Sequence, residues 1–317
     1  MDPLAVVPLI AALLLRRTAL WLGSRLPPRA TTRLLTSAGV VTAVSCGFVL
    51  AVLAFDALAQ LPALAARGQW SAEQVHSTVP LPPAVGWPVA AVVAVLLSAS
   101  VLRLFGVGRD LTASQLACRA LGPGAAGLVI IDDERPDAYT LPGWRGRIVV
   151  STAMLAALPP AEQRVLLAHE HSHLQHRHHL YVQLAELAGA ANPLLRPLTP
   201  AVAGAVERWA DEDAAQQVGS RRTAARALAR ASLASEHAPD SALGPPRSVA
   251  LGAVRGRAGD RVRALLAPAP RRHLTLRAAV VVLTTVTAAS ALGLARHTEV
   301  QFEQARQSYA ATQHLVR

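Results

Sequence analysis

Along the chain, long apolar stretches without a single charge are separated by polar stretches that carry arginines. Residues 34–55 are uncharged and, at the length of about 20 apolar residues that a span requires, read as a transmembrane helix. Residues 87–102 form a second such run, which extends backwards through 82–86, and residues 278–295 a third, bounded by Arg277 and Arg296. The first run, 3–15, is short and continues toward Leu22 only if Arg16 and Arg17 carry their charges to the interface on long stems. It lacks the basic start and the small-residue cleavage site of a signal peptide. The pattern predicts four transmembrane helices, at about 3–22, 34–56, 84–105 and 278–296.

Between the third and fourth runs the periodicity changes. Residues 128–132 and 147–152 are β-branched and apolar and read as short strands. The turn chemistry of Leu141-Pro-Gly-Trp-Arg-Gly146 between them suggests a hairpin. Pro159 and Pro160, with Glu162 just behind, open a helix that runs through Leu174. A further helical stretch covers 201–217, and an amphipathic one, 220–234, sets Arg221, Arg222, Arg226 and Arg230 on a polar side. Residues 235–248 read as a loop and 249–267 as a helix pair.

Composition adds to this picture. The chain has 317 residues, 52% of them hydrophobic and only 16% charged, with a mean hydropathy of +0.33. Soluble domains carry about 25% charged residues. All the basic residues are arginine, and the net charge is +11. No nucleic-acid-binding motif accompanies that charge, so no direct nucleic-acid partner is expected. The arginines instead flank the apolar runs. Arg16, Arg17, Arg25, Arg29 and Arg33 follow the first, Arg67 alone lies between the second and third, and Arg103, Arg109 and Arg119 follow the third. Positive charge marks the cytoplasmic side, so the segment 107–277 is expected in the cytoplasm and the tail 297–317 outside. Cys46 and Cys118 suggest no disulfide framework.

The candidate chemistry lies in the helix after Pro160. His169-Glu-His-Ser-His173 is an H-E-x-x-H pattern. Residues i and i+4 share a helix face, so His169 and His173 can present ring nitrogens to one tetrahedral zinc ion. Glu170 can reach a water on the open metal position, whose pKa zinc lowers toward ~7, and take its proton as it attacks a carbonyl. A catalytic zinc needs a third protein ligand. Glu207 and Asp211, again i and i+4, offer one carboxylate for the metal and another to orient a ligating histidine. His171, His176, His178 and His179 crowd the same region, and so leave open a non-catalytic zinc- or histidine-based metal sensor.

The motif pair His169-Glu-His-Ser-His173 and Glu207-Arg-Trp-Ala-Asp211 resembles the gluzincin pattern of HtpX-type and prenyl-protease-type membrane peptidases. Asp137-Ala-Tyr-Thr-Leu-Pro-Gly143 and Arg147-Ile-Val-Val-Ser-Thr152 are similar to the strand region of that group. Asn192-Pro193-Leu194 and the layout of three spans, a zinc domain and a fourth span resemble the BlaR/MecR-type antirepressor peptidases. The resemblance implies one zinc per chain on His169, His173 and Glu207, with Glu170 as the catalytic carboxylate and Asp211 supporting the ligands. It also implies hydrolysis of a polypeptide substrate in or beside the lipid bilayer. By analogy, Ile148, Val149 and Val150 would form an edge strand that pairs with an extended substrate. The large extracellular ligand-binding domain of the antirepressor type is not visible after the fourth run, so an inducer is not implied.

The sequence is thus expected to be a mainly α membrane protein with about four transmembrane helices and an inserted α+β gluzincin domain. Residues 1–106 would form the membrane region, 107–277 a cytoplasmic metallopeptidase domain, 278–296 the fourth helix and 297–317 a short tail. The expected function is a multi-pass cell-membrane zinc metalloendopeptidase. The alternative to a general protease is an antirepressor-type transducer whose proteolysis of a regulator controls transcription.

Overall fold

A computed structural model describes residues 3–78, 82–122, 124–144, 146–236, 258–268 and 273–316. The expected loop at 235–248 and the start of the helix pair at 249–267 lie largely outside the described residues.

After a 3-10 turn at Pro3–Ala5 come α1 (Val7–Arg25), α2 (Pro28–Leu58), the short α3 (Pro62–Gly68) and α4 (Ala72–Thr78), and α5 (Pro83–Ala120). Proline sits in the first turn of α1, α2, α3 and α5, where its missing N–H costs nothing and its fixed φ suits the helix. Four helical segments, Pro3–Arg25, Pro28–Leu58, Ala84–Ala120 and Leu274–Ala311, are long and apolar enough to cross a membrane. They match the four expected runs, but two are longer. The third continues unbroken to Ala120, and the last, α12 (Leu274–Val316), continues past 296. The positions 106 and 296 therefore fall inside continuous helices.

A small sheet follows, of β1 (Leu128–Ile131), β2 (Ala138–Leu141) and β3 (Arg147–Ser151), in the order β1-β3-β2. It corrects two expectations. The strands at 128–131 and 147–151 are paired, but in parallel, with Val129 opposite Val149. The hairpin partner of β3 is instead β2, with Tyr139 opposite Val149. The turn at 142–146 does close a hairpin, between β2 and β3, while the long connection from Ile131 leaves room for a parallel return. The second correction concerns Ile148, Val149 and Val150. They lie on the central strand, paired on both sides, so their backbone offers no free edge to a substrate. A β-branched run buried as Val149 and Val150 are is what a central strand requires. The free edges belong to β1 and β2.

Ser151 caps α6 (Thr152–Ala157) by accepting from the Met154 amide. Then come α7 (Pro160–Gln175), α8 (His178–Ala191), a 3-10 turn at Pro193–Leu195, α9 (Leu198–Gln217), α10 (Arg221–Glu236) and α11 (Ala258–Leu266). The turn between α7 and α8 is sharp, with Arg177 in the left-handed region at φ 50°. An alanine-rich core including Val165, Ala168, Ala214, Ala225 and Leu265 packs α7, α9, α10 and α11 together, since small side chains let helix backbones approach. On α10, Arg222 and Arg226 are exposed. Arg221 bonds Glu212 at 2.6 Å and the Ala264 and Ala267 carbonyls, and Arg230 pairs with Glu162 at 3.1 Å. The basic side of α10 is therefore partly spent on holding its neighbours.

Candidate metal centre and active site

The two ligand helices meet face to face. His169 and His173 lie one turn apart on α7 and are mostly buried, and their Nε2 atoms are 3.1 Å from each other. Glu207, buried on α9, brings Oε2 to 3.6 Å from His169 Nε2 and Oε1 to 3.6 Å from His173 Nε2. One ligand atom from each of these three residues lies within 4.8 Å of the others. No other group of three His, Cys, Asp or Glu residues among the described residues converges in this way.

The surroundings set the ring tautomers. His169 Nδ1 lies 3.1 Å from Asp211 Oδ1, an arrangement that keeps a proton on Nδ1 and makes Nε2 the nitrogen that gives up its proton to bind a cation. His173 Nδ1 is 3.2 Å from His178 Nδ1. His178 is buried, and burial beside His173 and His176 holds its pKa far below the ordinary histidine value. A neutral His178 can accept from His173 Nδ1, which leaves Nε2 of His173 free.

The charges around the site also suit a cation. Arg261 on α11 donates to both Asp211 oxygens, at 2.6 and 2.8 Å, and pairs with Glu207 at 3.0 Å. Burial would raise the pKa of Glu207, but Arg261, His173 and His169 outweigh it and keep the carboxyl well below its usual range. Asp211 is lowered too, its burial outweighed by Arg261 and His169. Burial lowers the His169 pKa, yet hydrogen bonds to Asp211 and Glu207 reverse this and lift it to about 10. His173, where burial prevails, is lowered. With neutral imidazoles, Glu170, Glu207 and Asp211 against Arg261 leave a net charge of −2, which a divalent cation neutralises. The nitrogen and oxygen donors fit zinc once His169 has given up its Nε2 proton.

Glu170, adjacent to His169 and buried, is fixed from the sheet. Thr140 on β2 donates its hydroxyl to Glu170 Oε2 at 2.6 Å. Oε1 is the carboxylate oxygen left for other work. β2 is also a free edge of the sheet and packs against α7.

The structure thus brings together His169, Glu170, His173, Glu207 and Asp211, and leaves Ile148, Val149 and Val150 out of reach of a substrate backbone. His171 points elsewhere. It lines a cavity of about 530 Å³ with Leu128, Ile148, Arg164, Leu167 and others, which the metal ligands do not border. Two participants were not anticipated. Thr140 lies inside the strand motif, but a threonine in a strand announces nothing by itself. Arg261 stands 50 residues beyond Asp211, in a stretch with no spacing that ties it to either helix.

Residues 112–313, well over half of the chain, match peptidase family M48. No curated protein and no solved structure matches the chain.

Proposed function

The chain belongs to peptidase family M48, a metallopeptidase family, and from that premise we propose that it is a membrane-bound zinc metalloendopeptidase with Glu170 as its general base. The observation that carries this reading is the convergence of His169, His173 and Glu207 within 4.8 Å, with Glu170 held beside them by Thr140. We assign one zinc per chain to those three ligands. When bound, zinc supplies a Lewis acid that polarises the scissile carbonyl and eases deprotonation of the attacking water.

The protein's own groups do the rest. Glu170 Oε1 takes the proton of the attacking water and passes it to the leaving amide nitrogen, while Thr140 holds Oε2 and so fixes the carboxylate plane. Asp211 keeps His169 in the tautomer that presents Nε2. Arg261 holds Glu207 and Asp211 in place and balances part of their charge. The polypeptide substrate is assigned to the outer edge of β2, where an extended chain can add as a further strand and lie next to Glu170.

Arginine asymmetry supports a cytoplasmic peptidase site in the cell membrane, with lipid around the four apolar helices. Of the two protease readings, a general endopeptidase and a transducer that cleaves one regulator, both use this same site. The test is direct. Detergent-solubilised protein should cleave an unstructured polypeptide, a chelator should stop it, and zinc should restore it. Cleavage indifferent to chelation would reject the assignment.

A further inference from the structure

The helical hairpin formed by α8, the turn after Asn192 and the first half of α9 belongs to the segment that carries the metal-binding residues, yet it packs as a membrane element. Ala185, Ala188, Leu195, Leu198 and Val202 share one core with Leu15 and Leu22 of α1, Leu35 of α2 and Val280 of α12. Contact with α2 is intimate: a Cβ placed on Gly39 would come within 2.7 Å of Leu198 Cδ2. At the tip, Leu194 and Leu195 pack in the same core as Cys46 of α2. Cys46 lies about 18 Å along α2 from Leu34, where the uncharged run begins. A hydrocarbon core is about 30 Å thick, so the tip reaches roughly the middle of the span.

The chemistry of the outward side agrees. From His179 to Leu195 the exposed residues are Leu180, Leu184 and Pro193, and the two leucines, one turn apart, are 38% and 41% exposed. A water-facing helix would carry charge there. The hairpin's one carboxylate, Glu186, is paired with Arg103 of α5, as charges at membrane depth are. Where the helix breaks, the Asn192 side chain accepts from the Leu194 amide, satisfying backbone that lipid could not. The turn packs on α1, and Arg196 after it is exposed, as Arg16 and Arg17 of that helix are.

We propose that residues 179–195 are a re-entrant membrane segment whose outer face, Leu180 and Leu184, is covered by lipid acyl chains. The metal-bearing helices α7 and α9 then meet the bilayer at the two ends of this hairpin, and the metal centre sits at the membrane surface. The inference rests on the apolar helices spanning the bilayer and does not depend on peptidase activity.

Cysteine labelling in lipid nanodiscs, where both faces are open to reagent, tests it. In a Cys46→Ser, Cys118→Ala background, Leu184→Cys is reacted with a charged maleimide beside two references. These are Val95→Cys on the apolar part of α5 and Arg222→Cys on the exposed side of α10. Leu184→Cys should label at the rate of Val95→Cys and at least about tenfold slower than Arg222→Cys, because the reactive thiolate does not form in hydrocarbon. Thiol titration in denaturant confirms that the slow thiol is intact, and Leu180→Cys, read the same way, covers a packing defect at 184. Labelling of both leucine positions as fast as Arg222→Cys would overturn the proposal, as would fast labelling of Val95→Cys.

Discussion

His169 carries the electrostatic character of the metal centre. Its pKa, raised to about 10 by Asp211 and Glu207 against the cost of burial, means that the metal-free protein holds a proton on that ring at neutral pH. His173, lowered by burial, is already neutral. Metal binding must expel the His169 proton. Because the folded pKa lies above the ordinary value, the proton is fully present near pH 7 and lost only as pH rises toward 10. Zinc affinity of the metal-free protein should therefore rise about tenfold per pH unit between pH 7 and 9, with about one proton released per zinc. Calorimetry in buffers of different ionisation heat measures both, and pH-independent binding without proton release would contradict this electrostatic account. Thr140 works at the neighbouring residue. Removing its hydrogen bond to a carboxylate, with a worth of about 1.5 kcal/mol, should lower kcat about tenfold in Thr140→Val. Thr140→Ser should recover most of the rate, and zinc content should be the same in all three proteins.

At the level of elements, the sheet makes the clearest statement. Val149 is fully buried on a strand bonded on both sides, so a proline there breaks the ladder as well as the core. Val149→Pro should cost about 3 kcal/mol or more, seen as a lower thermal midpoint and loss of bound zinc together; a folded, zinc-loaded variant would show that the central placement is wrong. The two metal-bearing helices were legible in the sequence because local signals agree there: Pro160 opens α7, the i and i+4 spacing sets His169 and His173 on one face, and Glu207 and Asp211 repeat that spacing on α9. Strand order was not legible. Strands of four or five residues carry no mark of parallel or antiparallel pairing, and Ala138-Tyr-Thr-Leu141 lacks the β-branched run that made the other two visible. The packing of α8 among the long apolar helices was hidden for another reason. Its polar residues Gln183 and Glu186 interrupt the apolar count, and only the tertiary structure shows Glu186 neutralised by Arg103. Arg261 gave no local signal, because its partners come from a helix distant in the chain.

Across the whole molecule, one residue joins the membrane helices to the metal centre. Trp209, fully buried between Glu207 and Asp211 on α9, stacks with His176 and lies against His178, with ring centroids 4.7 Å away in each case. The guanidinium groups of Arg29 and Arg33 at the start of α2 lie 5.6 and 5.3 Å from its ring. Asp213, one helical turn further along α9, receives Arg29 at 2.5 Å and also engages Ser172 and His176 of α7. The Arg29 pair is half exposed and contributes little by itself, whereas Trp209→Ala should destabilise the protein by about 3–5 kcal/mol and loosen zinc. Thermal unfolding with zinc release followed in parallel would show this, and an unchanged midpoint would deny Trp209 that role. Through these contacts the apolar helix bundle and the helices α7 and α9 form one packed body, which suits the proposed peptidase working at the bilayer surface.

The central claim is that Glu170, beside a zinc ion held by His169, His173 and Glu207, is the base for peptide hydrolysis. The most direct test compares wild type with Glu170→Gln, reconstituted in lipid and loaded with equal zinc, on an unstructured polypeptide. The account predicts one zinc per chain in both proteins and a loss of cleavage of about 10²–10⁴-fold in the variant. Equal cleavage by the two proteins at equal zinc content would contradict it.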